Sequence, residues 1–123
     1  MRHRLLVSAV ALVLTSAAAF AGDQDNKKVS GVLIDQACGS KQMKKDAPEA
    51  AAAEHPMACC LKASCAASGY EVISGKDEFK IDNGSNAKVK EYLEKDGSVT
   101  KVTVTGTQNA DGTMTITSIE PQK

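Results

Sequence analysis

The alternation of apolar and polar positions divides the chain into short elements, most of them strands. Residues 29–35 (VSGVLID) set Val32 and Ile34 on one face and Gly31, Leu33 and Asp35 on the other. Residues 70–74 (YEVIS) read as a second strand, Gly75-Lys76-Asp77 as a turn, and 79–82 (FKID) as a third strand with Phe79 and Ile81 on one face. Asn83-Gly84-Ser85-Asn86 interrupts the chain and supplies N-caps for a helix. On that helix Val89, Tyr92 and Leu93 form an i, i+3, i+4 stripe, and Gly97 ends it. Residues 99–107 alternate again, with Val102 and Val104 against Lys101, Thr103 and Thr105. Asn109-Ala110-Asp111-Gly112 turns the chain, and 113–119 returns with Met114 and Ile116 inward, completing a hairpin.

The interval 36–69 breaks this rhythm. A stretch of that length without structure of its own is unusual, so helix is expected within it. Asp46-Ala47-Pro48-Glu49 resembles a helix start, with Asp46 as N-cap and proline in the first turn, and the alanine run continues it. Pro56 disfavours helical geometry at His55, so the first helix ends there. A second helix starts at Pro56, runs through MACCLKASCAAS, and stops at Gly69. The order is therefore β, helical insertion, β, β, α, β, β. That predicts a β-rich α+β fold: a small five-strand OB-like barrel with a helical Cys/His insertion between strands 1 and 2 and a helix between strands 3 and 4. A ferredoxin-like arrangement competes, because the insertion is helical. The tight final hairpin favours the barrel.

The N-terminus changes the compartment. Arg2-His3-Arg4 forms a basic start, residues 5–20 are mostly apolar, and Ala19-Phe20-Ala21 puts small residues at the −3 and −1 positions. This is the layout of a cleaved signal peptide over 1–21, and its apolar run is shorter than the roughly 20 residues of a membrane span. The expectation is an exported chain, periplasmic or extracellular after cleavage near Ala21, with no stable membrane anchor. It would carry a flexible leader at 22–28 and a single domain over 29–123. Removing the two signal arginines leaves thirteen basic against fifteen acidic residues, a net of −2. Such a balance gives no general pull on nucleic acid or anionic lipid. The remaining aromatics, Tyr70, Phe79 and Tyr92, are needed for the core, so base stacking has no platform and no nucleic-acid partner is expected. The ligand or protein partner stays unnamed.

All four cysteines, and the one histidine outside the signal, fall within 38–65. Export makes disulfides the first reading, with Cys38, Cys59, Cys60 and Cys65 as candidates and three connectivities open. A bond between the neighbours Cys59 and Cys60 is the least favourable of these. The second reading is a zinc or copper site on Cys38, His55, Cys59 and Cys65, with Met43 and Met57 as soft alternatives for copper. A continuous helix would point Cys59 and Cys65 to different sides, so a shared ion requires the helix to break between them. The third reading is a periplasmic thiol–disulfide redox protein. Cys59 and Cys60 lie in a first helical turn beside His55, which can lower a thiol pKa, but no C-x-x-C motif accompanies them. Asp35 reads as a strand-end acid capping the next turn, and His55 as a solvated loop residue. No phosphate loop or paired catalytic carboxylates appear. The expectation is a binding or structural module stabilised by disulfides, not an enzyme, with no catalytic or organic-cofactor residues.

The pattern G-x-x-x-D-x-x-C at 31–38, H-x-x-x-C at 55–59, C-x5-C at 59–65, SGY at 68–70 and VTVTG at 102–106 resembles a largely uncharacterised group of small exported bacterial proteins. The likeness spans almost the whole chain after the signal. It carries Gly31, Asp35, Cys38, His55, Cys59, Cys65 and Gly69 onto that group's pattern. It implies an OB-like domain with a shared site and no named reaction. Cys60 departs from the pattern, which has a small non-cysteine residue there, and so is a candidate spare thiol.

Overall fold

The computed structural model describes residues 26–122; the expected signal peptide lies outside them. Five strands form one antiparallel sheet in the order β3-β2-β1-β4-β5. They are β1 (Lys27–Asp35), β2 (Tyr70–Ser74), β3 (Asp77–Lys80), β4 (Lys101–Gln108) and β5 (Met114–Pro121). Between β1 and β2 lie four short helices: α1 (Gln36–Gln42), α2 (Pro48–Ala53), α3 (Met57–Cys60) and α4 (Ala63–Ala67). A 3-10 turn at Asn83–Ser85 leads into α5 (Asn86–Glu94) before β4.

The central strand β1 is buried on both faces, which is why its last five residues carry almost no exposed surface. Cross-strand partners point to the same side of a sheet. Leu33 therefore shares a face with Val72 opposite it, Val29 with Val104, and Gly31 with Val102. This face forms the main core, which Val89 and Leu93 of α5 and Met114 and Ile116 of β5 complete. The other face of β1 carries Val32 and Ile34, with Ile73 across from Val32. There α1 and α2 pack against β1 and β2, burying Pro48 and Ala52. Each fully buried Val, Leu or Ile contributes about 1.5–3 kcal/mol, so the insertion is part of the core and not an appendage.

The alternation was a sound guide to the strands, no end of which differs from expectation by more than two residues. β1 starts at Lys27, paired with Gly106, two residues into the segment expected as leader. The β2–β3 turn is two residues long with Gly75 at φ +62°, the sign that the first central position of a type II′ turn requires. The closed barrel is a different matter. Continuous pairing does not run from β3 to β5, which meet only through an isolated parallel bridge, Ile81 to Met114. The sheet is thus open at that seam. Polar bonds hold it: Asp82 N donates to Met114 O at 2.9 Å, and the Asp82 carboxylate accepts from Ser85 N, Asn109 Nδ2 and the Thr115 hydroxyl. Burial alone would raise the Asp82 pKa, but those hydrogen bonds outweigh it and hold the group below its ordinary value.

The insertion also departs from expectation. Two helices were expected and four are present. Asp46 is not the cap of α2: that position is Ala47, with no side-chain cap bond. Helix α1 was not anticipated at all. The expected helix from Pro56 to Gly69 is interrupted at Leu61-Lys62, where Lys62 is extended at φ −61° and ψ 139°.

One buried acid lies on the face that α1 and α2 cover. Glu71, opposite Ile34, is 1% exposed, and its Oε1 has no hydrogen-bond partner. It lies directly under Gly39 of α1, where any Cβ would collide with its carboxyl. Burial, with Glu78 and Asp35 adding and Lys80 opposing, pushes its pKa up to about 7 from 4.5. The fold therefore favours the protonated form, and stability should fall as pH rises from about 4.5 through 7, by up to roughly 3 kcal/mol. Glu71→Gln removes this dependence. Urea midpoints should show the variant gaining on the wild type between pH 5 and pH 8; a constant difference would mean Glu71 is already ionised in the fold.

Candidate metal centre

The centre is built outward from the last residue of β1. Asp35 is fully buried and sits at φ −69° and ψ 147° as the N-cap of α1. Its Oδ2 accepts from Cys38 N at 2.9 Å, satisfying one of the free amides of the first turn and setting Cys38 beside the strand end. The same turn is tied to the end of α4. Ala37 N donates to Ser68 Oγ at 3.1 Å, and that hydroxyl donates to Cys65 O at 2.6 Å. Gln36 N donates to Gly69 O at 2.9 Å and Gln36 Nε2 to Tyr70 O at 3.1 Å. Cys38 and Cys65, twenty-seven positions apart in the chain, are thereby brought side by side.

Helix α3 brings the remaining donors. Pro56 is extended at ψ 130°, so His55 precedes the helix and folds back over its start. Tyr70, 1% exposed, donates its hydroxyl to Cys60 O at 3.0 Å and pins the end of α3 onto β2. The break at Lys62 then lets α4 set off in a new direction, which removes the obstacle that a continuous helix posed to a shared site.

The result is a cluster around one carboxylate. Asp35, Cys38 and Cys65 offer ligand atoms within 4.8 Å of one another, and so do Asp35, His55 and Cys60. His55 Nε2 lies 3.5 Å from Asp35 Oδ1, too far for a hydrogen bond, and neither atom has any other partner. The His55 side chain is only 13% exposed, so it is not the solvated loop residue expected from its place before a proline. Burial, with the Asp35 carboxylate adding to it, pushes the Cys38 and Cys60 thiols up to about 11. All four cysteines are free thiols.

Of the four residues expected as ligands, Cys38, His55 and Cys65 join the cluster, and Cys59 belongs to neither donor group. Cys60, expected as the spare thiol, stands in its place and is fully buried. Asp35, expected first of all as a strand-end cap, belongs to both groups: one oxygen caps α1 and the other faces His55. Met57 Sδ accepts from Ser98 Oγ at 3.8 Å. The signal for Cys60 was present in the i, i+3 spacing from Met57, which puts both on the inward side of α3. A surface groove of about 480 Å³ runs along α2 between Val32, Pro48 and Lys101, and none of the five donors lines it. No family model, curated protein or solved structure matches the chain.

The double use of Asp35 makes two substitutions unequal. Asp35→Ala removes the α1 cap and should lower the stability of the reduced protein by about 1–2 kcal/mol. Asp35→Asn keeps an acceptor for Cys38 N and should be no less stable than the wild type in urea titrations. Equal losses would show that capping is not what the carboxylate contributes.

Proposed function

We propose that this chain is an exported zinc-binding module whose ion sits on Asp35, His55 and Cys60, with Cys38 or Cys65 completing the coordination. The observation that carries the reading is the facing pair of buried, unpartnered atoms, Asp35 Oδ1 and His55 Nε2, with the Cys60 sulfur in the same group. Leaving such atoms unpaired costs about 1–3 kcal/mol apiece. A cation accepting both lone pairs turns that cost into binding. Zinc takes thiolate, imidazole and carboxylate donors in a four-coordinate shell, and this is that mixture. Copper(I) prefers sulfur alone, so the carboxylate argues for zinc between the two metals. The chain's own part is to orient the donors: Asp35 through its bond to Cys38 N, and Cys60 through the Tyr70 hydroxyl on its carbonyl.

The export signal read from residues 1–21 supports placing this module outside the cytoplasm. The strand order, with the parallel Ile81–Met114 bridge at the β3–β5 seam, supports an OB-like barrel that is partly open there. Such a barrel sets the cluster at the end of its central strand, on the side carrying the main core.

Reduced protein should take one equivalent of zinc in native mass spectrometry. His55→Ala and Cys60→Ala should each weaken binding by at least a hundredfold, as judged by competition with a chromophoric chelator. Cys59→Ala should bind as the wild type does. A Cys59 variant as damaged as the Cys60 variant would return the site to the ligand set expected from spacing alone.

A further inference from the structure

We propose that Cys38 and Cys65 form a reversible disulfide that withdraws the last donor from the zinc site, so that the dithiol form loads the ion and the disulfide form releases it. The gating rests on the zinc reading above; the bond rests on its own observation. Cys38 and Cys65 are the one pair of cysteines within a single donor group, their sulfurs within 4.8 Å. Both are free and both are partly exposed, so a small external disulfide reaches them. A disulfide spans about 2.05 Å, which leaves at most about 2.7 Å to close. One staggered rotamer step at either side chain moves a sulfur by a comparable distance. The backbone is already cross-linked at this point by the Ala37–Ser68–Cys65 hydrogen bonds, so closure does not require the helices to find each other.

The other thiols are placed for different roles. Cys60 is fully buried and grouped with His55 and Asp35. Cys59 is outside both groups, and a bond to its neighbour Cys60 would strain the intervening peptide. Three formal connectivities thus reduce to one bridge and two thiols. The chemistry balances as thiol–disulfide exchange. One cysteine thiolate attacks an external disulfide and expels one thiolate; the second cysteine thiolate attacks the mixed disulfide and expels the other. One S–S bond forms in the protein and one breaks in the reagent. The two cysteine sulfurs lose two electrons, the reagent gains them, and the cysteine protons end on the two released thiols. Neither bridged sulfur remains a thiolate ligand for zinc.

The test uses the whole chain, reduced or treated with oxidised glutathione, with alkylation under denaturing conditions and peptide mapping. Cys59 and Cys60 should be alkylated and Cys38 and Cys65 protected until reduction. Zinc affinity of the bridged form should fall at least tenfold and return on reduction. A Cys38→Ser/Cys65→Ser protein should match the bridged affinity and ignore glutathione. A bridge to Cys59 or Cys60, or none, overturns the proposal. So does a Cys38–Cys65 bridge that leaves zinc affinity unchanged, and in that case the zinc reading survives. Reduced protein that takes no zinc overturns both, whatever the map of the bridge.

Discussion

A carboxylate buried at the end of a central strand is the constraint on which the insertion depends. Asp35 has no exposed surface, and ionised groups in such places survive only with donors or cations around them. One of its oxygens is satisfied by the amide of Cys38, and this single bond starts α1 immediately after β1, with no loop between them. The other oxygen is left facing His55, Cys60 and the sulfurs beside them. The residue that turns the strand into a helix is therefore the residue around which the donors gather. Moving either function elsewhere would disconnect the fold of the insertion from its chemistry.

The helices of the insertion are four to seven residues long. Isolated helices below about 12 residues are marginal in water, so these are held by tertiary bonds and not by propensity. Ser68 holds the start of α1 to the end of α4, the Tyr70 hydroxyl holds the end of α3, and Glu49 accepts from Gly75 N to hold α2 over the β2–β3 turn. Short pieces joined by bends can aim donors in several directions at one point, which a single long helix cannot. The cluster needs that fragmentation.

This explains what was legible in the amino-acid pattern and what was not. Strand alternation is a direct imprint of burial on one face, so Val102/Val104 marked β4 without help from tertiary structure, and the continuous apolar run Val32–Ile34 marked β1, which is buried on both. The stripe at Val89, Tyr92 and Leu93 marked α5 for the same reason, and the structure buries two of its members, Val89 and Leu93. Cys38, His55 and Cys65 were recognisable by residue type. The choice between Cys59 and Cys60 was only partly so: the i, i+3 spacing pairs Met57 with Cys60, but which face of α3 turns inward is fixed from another element, where the Tyr70 hydroxyl bonds Cys60 O. The break at Lys62 carries no glycine or proline to announce it. The barrel was inferred from element order and the tight final hairpin, whereas the seam between β3 and β5 rests on the side chain of Asp82 and one parallel bridge.

Asp35 and Glu71 show how neighbouring positions on one sheet come to opposite chemical ends. Asp35 pairs with Tyr70 and Glu71 with Ile34, so the two acids are adjacent in register and point to opposite faces. Both are almost completely buried. Glu71 meets a glycine and apolar side chains under α1, with no donor on its Oε1, and burial answers by keeping its proton on near neutral pH. Asp35 meets an amide, an imidazole and three thiols. What those groups share is an appetite for a cation. The same cost of burial that keeps a proton on one carboxyl is met, on the other face, by an amide and by the donors on which the proposed zinc site rests.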